Sequence, residues 1–246
     1  WFPGHMHKAR KEIAQALPKI DLIIEIVDAR IPSTSANPLV RELRGDKPLI
    51  QVLNKVDLAD PKVTTLWIDR LEEETGVRAL PMQARLPHHV KGLLGMGRKM
   101  MPSGRSQGKP IRAMVLGIPN VGKSTLINGL AGRAIAKTGN VPAVTKKQQR
   151  IAVQQDYVLL DTPGFLWPKL WPDGCGYRLA ITGAIKDAVI EYEDIAFFAA
   201  AYLAKAYPHA LAERFKLEKV PEDPYEVLEA IAARRGCIGK GGIVRL

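Results

Sequence analysis

Cysteine is almost absent from this chain: two in 246 residues, Cys175 and Cys237. Two thiols cannot build a disulfide framework or a four-ligand zinc site, so reduced cysteines in a cytoplasmic setting are expected. Long apolar runs are missing too. The longest, Ile195 to Ala204, is about half of the ~20 residues a membrane span needs, so no membrane partner is expected. No secretory leader is visible. The sequence opens on Trp1 and stops at Leu246 within GCIGKGGIVRL. Both ends are expected to continue, and the missing start leaves room for an organellar address. The most informative absence is of one sign of charge. From Thr75 to Gln155 there is no Asp or Glu in 81 residues, against 14 Lys or Arg. The remainder carries 22 basic and 25 acidic residues, so the net charge of +11 is concentrated in the middle third. Such a stretch calls for polyanionic neighbours: nucleotide phosphates, nucleic acid, or both.

What is present is ordinary globular material, 46% hydrophobic and 25% charged, which excludes collagen, coiled coil and disorder. Residues 4–17 read as a basic amphipathic helix stopped by Pro18. DLIIEIVDAR follows as an apolar strand carrying Glu25. Asn37-Pro38 opens a short helix that Gly45 ends, and PLIQVLNK is the second strand. Asp60 caps the helix of residues 61–75, VRALPMQA is a third strand, and a helix is expected around 88–101. After the polar linker 101–110 come strand IRAMVLG, helix KSTLINGLAG, a basic loop, and strands QRIAVQQ and YVLLDTPG around a turn at Asp156. Strands alternating with helices predict an α/β fold: a mostly parallel six-stranded sheet with helices on both faces. Beyond residue 176 strand signals stop, and four helices are expected: 177–190, 194–207, 209–217 and 224–236. The expected domains are therefore 1–176, including the N-terminal segment 1–18 and the linker 101–110, and a helical domain 177–246.

Three motifs carry chemistry. Gly117-Ile-Pro-Asn-Val-Gly122-Lys123-Ser124 fits G-x-x-x-x-G-K-[ST] between a strand and a helix, the setting of a phosphate-binding loop. Backbone N–H groups from Asn120 and Val121 through Gly122 would cradle phosphate at the helix N-terminus. Lys123 would reach the β- and γ-phosphates, Ser124 would ligate Mg²⁺, and Thr125 would support the α-phosphate. Asn54-Lys55-Val56-Asp57 suits guanine: the Asp57 carboxylate can accept from N1–H and the exocyclic amine, Asn54 can orient the loop and meet the base, and the Lys55 stem can cover the ring. Adenine offers no such donor pair to a carboxylate. Asp161-Thr162-Pro163-Gly164 ends a strand, with Asp161 placed to hold Mg²⁺ through water and the Gly164 N–H to meet the γ-phosphate. Thr145 in the basic loop is the candidate for a second hydroxyl on Mg²⁺, with Thr138 its competitor.

The order of these motifs reverses that of ordinary GTPases, in which the guanine motif comes last. Together with the opening Trp1-Phe2-Pro3-Gly4-His5-Met6 and Lys8-Ala9-Arg10, the chain resembles the YlqF-type circularly permuted GTPases, the ribosome biogenesis GTPase A family, over nearly its whole length. The resemblance implies a circularly permuted P-loop GTPase domain followed by a small helical domain that contacts ribosomal RNA. It implies GTP as substrate and late assembly of the large ribosomal subunit, with turnover slow alone and stimulated by ribosomal particles. Two departures are visible: Gln83-Ala84 stands where family members carry Ser-Ala near guanine, and Pro142-Ala143-Val144-Thr145 stands where they carry Pro-Gly-Val-Thr. The Ala84 N–H is still expected to serve guanine O6.

Many GTPases orient the attacking water with a Gln after the glycine of the third motif. Here that position is Phe165, and the resemblance points to His5 instead. His7 is a local decoy, and His88 and His89 read as structural or surface residues near the guanine loop. Asn120 either fills a left-handed turn or, by resemblance, holds K⁺. Trp1, Phe2, Phe165, Trp167 and Trp171 are expected to pack the switch segment and N-terminal helix rather than stack on RNA. RNA backbone candidates are Lys91, Arg98, Lys99, Arg105, Lys109 and Arg112, then Lys146, Lys147 and Arg150, and a third patch of Arg234, Arg235 and Lys240. The permutation makes residues 164–178 run from the γ-phosphate sensor into the helical domain, so GTP and GDP are expected to position that domain differently. A monomer is expected. The competing reading is a GTP-switched RNA-binding module with negligible turnover, and a P-loop kinase or ATPase is disfavoured by Asn54-Lys55-Val56-Asp57.

Overall fold

The computed structural model describes residues 4–102, 108–134, 149–167, 173–185 and 190–237, with side chains from Arg10 onward except that of Pro87. Helix α1 (Gly4–Ala16) gives way at Pro18 to a 3-10 turn, Leu17–Lys19, and then to β1 (Leu22–Asp28). The short α2 (Pro32–Ser35) and α3 (Pro38–Arg44) follow. The Asn37 side chain caps α3 by accepting from the Leu39 N–H, as its position before Pro38 predicts. β2 (Leu49–Asn54) leads to α4 (Pro61–Glu72), capped by Asp60, and to β3 (Val77–Met82). α5 (Pro87–Lys99), β4 (Ile111–Leu116), α6 (Lys123–Ala131), β5 (Gln149–Val153) and β6 (Tyr157–Asp161) complete the sheet and its cover.

The six strands lie in the order β3-β2-β1-β4-β6-β5, all parallel except β5, which pairs antiparallel with β6 at the edge. β1 and β2 are buried at every position. That is the signature of strands covered on both faces, and it accounts for their apolar character, broken inside the strands only by Glu25 and Gln51 and at their ends by Asp28 and Asn54. The register brings Asp28 level with Asn54, and Asn54 level with Met82, at the carboxyl edge. On the other side Val115 pairs with Asp161. α5 seats closely because Gly97 has no side chain: a Cβ there would collide with the Tyr157 hydroxyl and stand 2.9 Å from Leu22 Cδ2. That hydroxyl donates to the Leu94 carbonyl at 2.8 Å.

The helix expected over 177–190 is shorter and earlier: α7 spans Cys175–Ile181. It stops because Gly183 turns into the left-handed region at φ +77°, after the Thr182 hydroxyl has folded back onto the Arg178 carbonyl. α7 packs on α2, which keeps it with the sheet. The chain accordingly divides into compact units Trp1–Lys186 and Asp187–Leu246, ten residues beyond the expected boundary of 176/177. The second unit holds α8 (Tyr192–Ala206), α9 (Pro208–Phe215) and α10 (Pro224–Arg235) around Ala200, Leu211 and Val227. No helix among the described residues is long and apolar enough to cross a membrane.

Candidate functional site

The strand order turns about β1 and β4, and segments from five strands meet at the carboxyl edge on either side of that point. This is where open parallel sheets bind ligands. The loop after β4 is built from backbone that few residues tolerate. Gly117 has φ +148°, and a Cβ on it would come within 2.5 Å of the Ile26 carbonyl oxygen. Asn120 is left-handed at φ +60°, which matches its reading as a turn residue. Gly122, at φ +102°, forms the N-cap of α6, and a Cβ there would collide with the Asn54 amide. The first N–H groups of α6, which have no partner within the helix, make this loop suited to an anion. Ser124 and Thr125 are half-buried in its first turn.

Lys123 is buried, and its ammonium donates to the Gly117 carbonyl at 2.9 Å and the Ile118 carbonyl at 2.8 Å. Burial lowers its pKa, against the opposing pull of Asp161. Asp161 is 1% exposed, and neither of its carboxylate oxygens has a hydrogen-bond partner of normal geometry. Burial raises its pKa, and the Lys123 charge offsets part of that rise. Two orphaned anionic oxygens beside the Ser124 turn are the donor set a hard divalent cation takes, so Mg²⁺ fits the residues present. Thr145 and Thr138 lie outside the described residues.

The first motif clamps the second. Asn54 Nδ2 donates to the Val121 carbonyl at 2.7 Å, while Asn54 Oδ1 accepts from the Ala84 N–H at 2.9 Å. Asn54 thus ties the phosphate loop to the loop after β3. The Ala84 N–H expected to serve guanine O6 is engaged by Asn54. Lys55, left-handed at φ +64°, donates to the Asn120 carbonyl at 2.8 Å and to Asp28 Oδ2 at 3.0 Å. Asp57 is exposed on the 3-10 turn Val56–Leu58. The Gln83 N–H donates to His89 Nδ1 at 3.0 Å, so His89 braces the loop after β3.

Asp28 is a member of this cluster that sequence reasoning missed. It is 2% exposed and receives Lys55 together with a two-pronged Arg30, at 2.8 and 2.6 Å. These cations hold its carboxyl below the usual range against the cost of burial. The available signal was Asp28-Ala29-Arg30 at a strand end, two opposite charges beside an apolar run.

The third motif lies against the loop. Thr162 donates from its hydroxyl to the Val115 carbonyl at 2.8 Å. A Cβ on Gly164 would stand 2.8 Å from Lys123 Nζ and 3.0 Å from the Pro119 nitrogen. Phe165 and Trp167 are buried, so these two aromatics pack as expected. Gly183, just past α7, approaches Asn120 closely enough that a Cβ would come within 2.7 Å of its amide nitrogen. His5 belongs to the first turn of α1, but its side chain, with Trp1, Phe2 and Trp171, lies outside the described residues.

Several RNA candidates carry intramolecular partners. Arg98 forks onto Asp156 at 2.5 and 3.1 Å, and Arg112 reaches Asp21 at 3.2 Å. Arg234 stands 3.6 Å from Glu218, and Arg235 lies 5.5 Å over the Phe215 ring. Lys91, Lys99, Lys109 and Arg150 are exposed. Arg105, Lys146, Lys147 and Lys240 lie outside the described residues.

Residues 112–218 match the family described as 50S ribosome-binding GTPase. Over 252 residues the chain is 47% identical to Ribosome biogenesis GTPase A of Priestia megaterium, covering 99% of this chain and 87% of that protein. This chain belongs to the ribosome biogenesis GTPase A family. As a member it is a GTPase of ribosome biogenesis, and its substrate is GTP. The likeness extends to Mitochondrial ribosome-associated GTPase 1 of Bos taurus, 34% identical over 95% of this chain and 74% of that one. The crystal structure of GNP-bound YlqF from T. maritima matches with a TM-score of 0.65 at 27% identity, covering 96% of this chain and 87% of that one. A GDP-bound YlqF matches equally well. The six-stranded sheet with its permuted motif order is therefore the fold of this GTPase family.

Proposed function

We propose that this GTPase acts in assembly of the large ribosomal subunit, reading its nucleotide in one pocket and contacting ribosomal RNA through its helical unit and basic surface. The observation that carries the proposal is the Asn54 clamp, which bonds the guanine motif to the phosphate loop at 2.7 Å across 67 residues of sequence. In this reading Asp57 accepts from guanine N1–H and its amine, the second amide hydrogen of Asn54 faces the base, and the Lys55 stem covers the ring. Gln83 and Ala84 frame the far side. Val121, Gly122 and their neighbours donate backbone N–H groups to phosphate oxygens, and the Lys123 ammonium leaves its two carbonyls for the β- and γ-phosphates. Mg²⁺, when bound by Ser124 and Thr145 and through water by Asp161, supplies positive charge at those oxygens. Water attacks the γ-phosphorus, the bond to the bridging β–γ oxygen breaks, and GDP and phosphate leave. Here His5 orients that water and Gly164 donates to the γ-phosphate. A monovalent cation at Asn120, replacing an arginine finger, is the remaining element.

Nucleotide-dependent co-sedimentation with large-subunit particles tests the proposal. Binding with a non-hydrolysable GTP analogue should exceed binding with GDP, and should fall steeply with salt. Large subunits should raise turnover, and His5→Ala should remove that rise while GTP affinity persists. Equal sedimentation in both nucleotide states would refute the switch. Hydrogen exchange across 165–205 should also differ between the two states.

A further inference from the structure

Asn37 is 1% exposed and uses three polar groups in three directions. Its Oδ1 caps α3 by accepting from the Leu39 N–H at 3.1 Å. Its backbone N–H donates to Glu25 Oε1 at 2.8 Å. Its Nδ2 donates to the Phe165 carbonyl at 3.2 Å, a contact across 128 residues of sequence. The cap explains only the first. Ser, Thr or Asp would cap the helix about as well, and none of them has an amide donor able to reach Phe165.

The other two bonds lie on either side of a fixed point. Glu25 stands in the middle of the apolar strand β1 and is 1% exposed, an expensive position for a carboxylate. Its second oxygen accepts from Gln51 Nε2 at 2.7 Å, so strands β1 and β2 brace Asn37 from behind. In front is the turn of the third motif. Thr162 pins that turn to β4 and Asn37 pins its exit, so the peptide of Gly164 is held from both ends. Gly164 itself leaves no room for a side chain, since a Cβ there would stand 2.8 Å from Lys123 Nζ and 3.0 Å from the Pro119 nitrogen.

We propose that Asn37 is a positioning residue for GTP hydrolysis: braced by Glu25, it holds the Phe165 carbonyl and thereby fixes the Gly164 N–H toward the γ-phosphate. The inference rests on the assignment of Gly164 to the γ-phosphate given above. It concerns only the third phosphate, so GDP binding lies outside it.

Asn37→Ser keeps the cap and loses the amide donor. Steady-state turnover should fall roughly 10- to 100-fold, since displacement of a catalytic group by about an ångström has that effect. Affinity for a non-hydrolysable GTP analogue should fall about 5-fold while affinity for GDP stays within about 2-fold, because the lost donor acts only on γ-phosphate geometry. Melting temperature should fall less than in Asn37→Ala, which loses the cap as well. A purely structural role predicts the opposite pattern, with GDP and analogue affinities falling together and turnover per bound nucleotide unchanged. That outcome, or an Asn37→Ser protein with wild-type turnover and analogue-to-GDP ratio, overturns the proposal. Should the variant not fold, the side-chain amide resonance of Asn37 in the wild type must shift between GDP and analogue states, and an unchanged resonance overturns it equally. Failure of the underlying site assignment would look different: in the wild type the Gly164 amide resonance would be the same in the GDP and analogue states.

Discussion

Lys123 spends its ammonium on two neutral carbonyls, Gly117 and Ile118, while burial lowers its pKa to about 8. Phosphate oxygens are stronger acceptors, so the side chain is set to exchange partners when nucleotide arrives. Binding raises its pKa again, and therefore takes up a proton wherever the free lysine is partly neutral. GDP affinity should be flat below about pH 8 and fall toward tenfold per pH unit above it. Calorimetry in buffers of different ionisation enthalpy should register the proton taken up near pH 8.5, and an affinity constant to pH 9.5 would contradict it. Asp57 makes a prediction of another kind. Replacing its carboxylate in Asp57→Asn converts an acceptor into a donor, which suits the second carbonyl of xanthine rather than the guanine amine. The ratio of GTP to XTP affinity should move by roughly 100-fold or more toward XTP, as expected for a site built around hydrogen bonds to one base. Competition binding measures it directly.

Among the elements, β1 carries the clearest energetic anomaly. Glu25 ionises near 4.5 in the unfolded chain and about 7 in the folded one, chiefly because burial penalises its charge. The folded state therefore holds this proton more tightly. Stability from this group is greatest below about pH 4.5 and is lost as pH rises through 7, by roughly 3 kcal/mol in all. Glu25→Gln removes the charge, still accepts from the Asn37 N–H and, once the Gln51 amide that now donates to Glu25 turns over, donates to the Gln51 Oε1 that has no partner. The variant should melt above the wild type at pH 8 and lose that advantage near pH 5, read by thermal scans at both values. Gly97→Ala is the packing counterpart: its methyl would force α5 away from Tyr157 and Leu22, costing about 1–3 kcal/mol in a denaturant titration. The elements were legible where local chemistry decides them. Asn37, Asp60 and Asp223 all cap the helices their positions announce. All six strands were legible from short apolar runs bounded by turns. α7 was misjudged because the apolar residues beyond Gly183 continue a helical pattern that the left-handed glycine interrupts. That the three motifs end strands of one sheet was legible from their spacing taken together. The bonds of Asn37 to Phe165 and of Lys55 to Asp28 were not, since they join segments whose proximity comes from strand order. The same holds for Arg98 and Arg112: their acids, Asp156 and Asp21, lie outside the acid-free stretch that drew attention to them.

At the scale of the molecule, the boundary at Lys186/Asp187 gives the GTPase unit the whole of residues 1–186, including α7 and the Gly183 approach to Asn120. Residues 1–186 expressed alone should bind GDP within about 2-fold of the full chain, since every proposed nucleotide contact lies within one unit with its own core. Their co-sedimentation with large subunits should weaken, since only the basic surface remains to hold them. Undiminished sedimentation would place the whole RNA contact on the basic middle of the chain. Strand order carries one more consequence. β1, β2 and β3 are consecutive in the chain and adjacent in the sheet, whereas β4 with its phosphate loop joins the far side of β1. During synthesis residues 22–82 emerge first and can pair among themselves by local contacts. In the proposed assignment, the strands that carry the guanine motif can thus form before the phosphate loop exists, and nucleotide is captured only when β4 docks. In this arrangement, translation delivers the two halves of the grip in a fixed order, the reverse of that in an unpermuted relative.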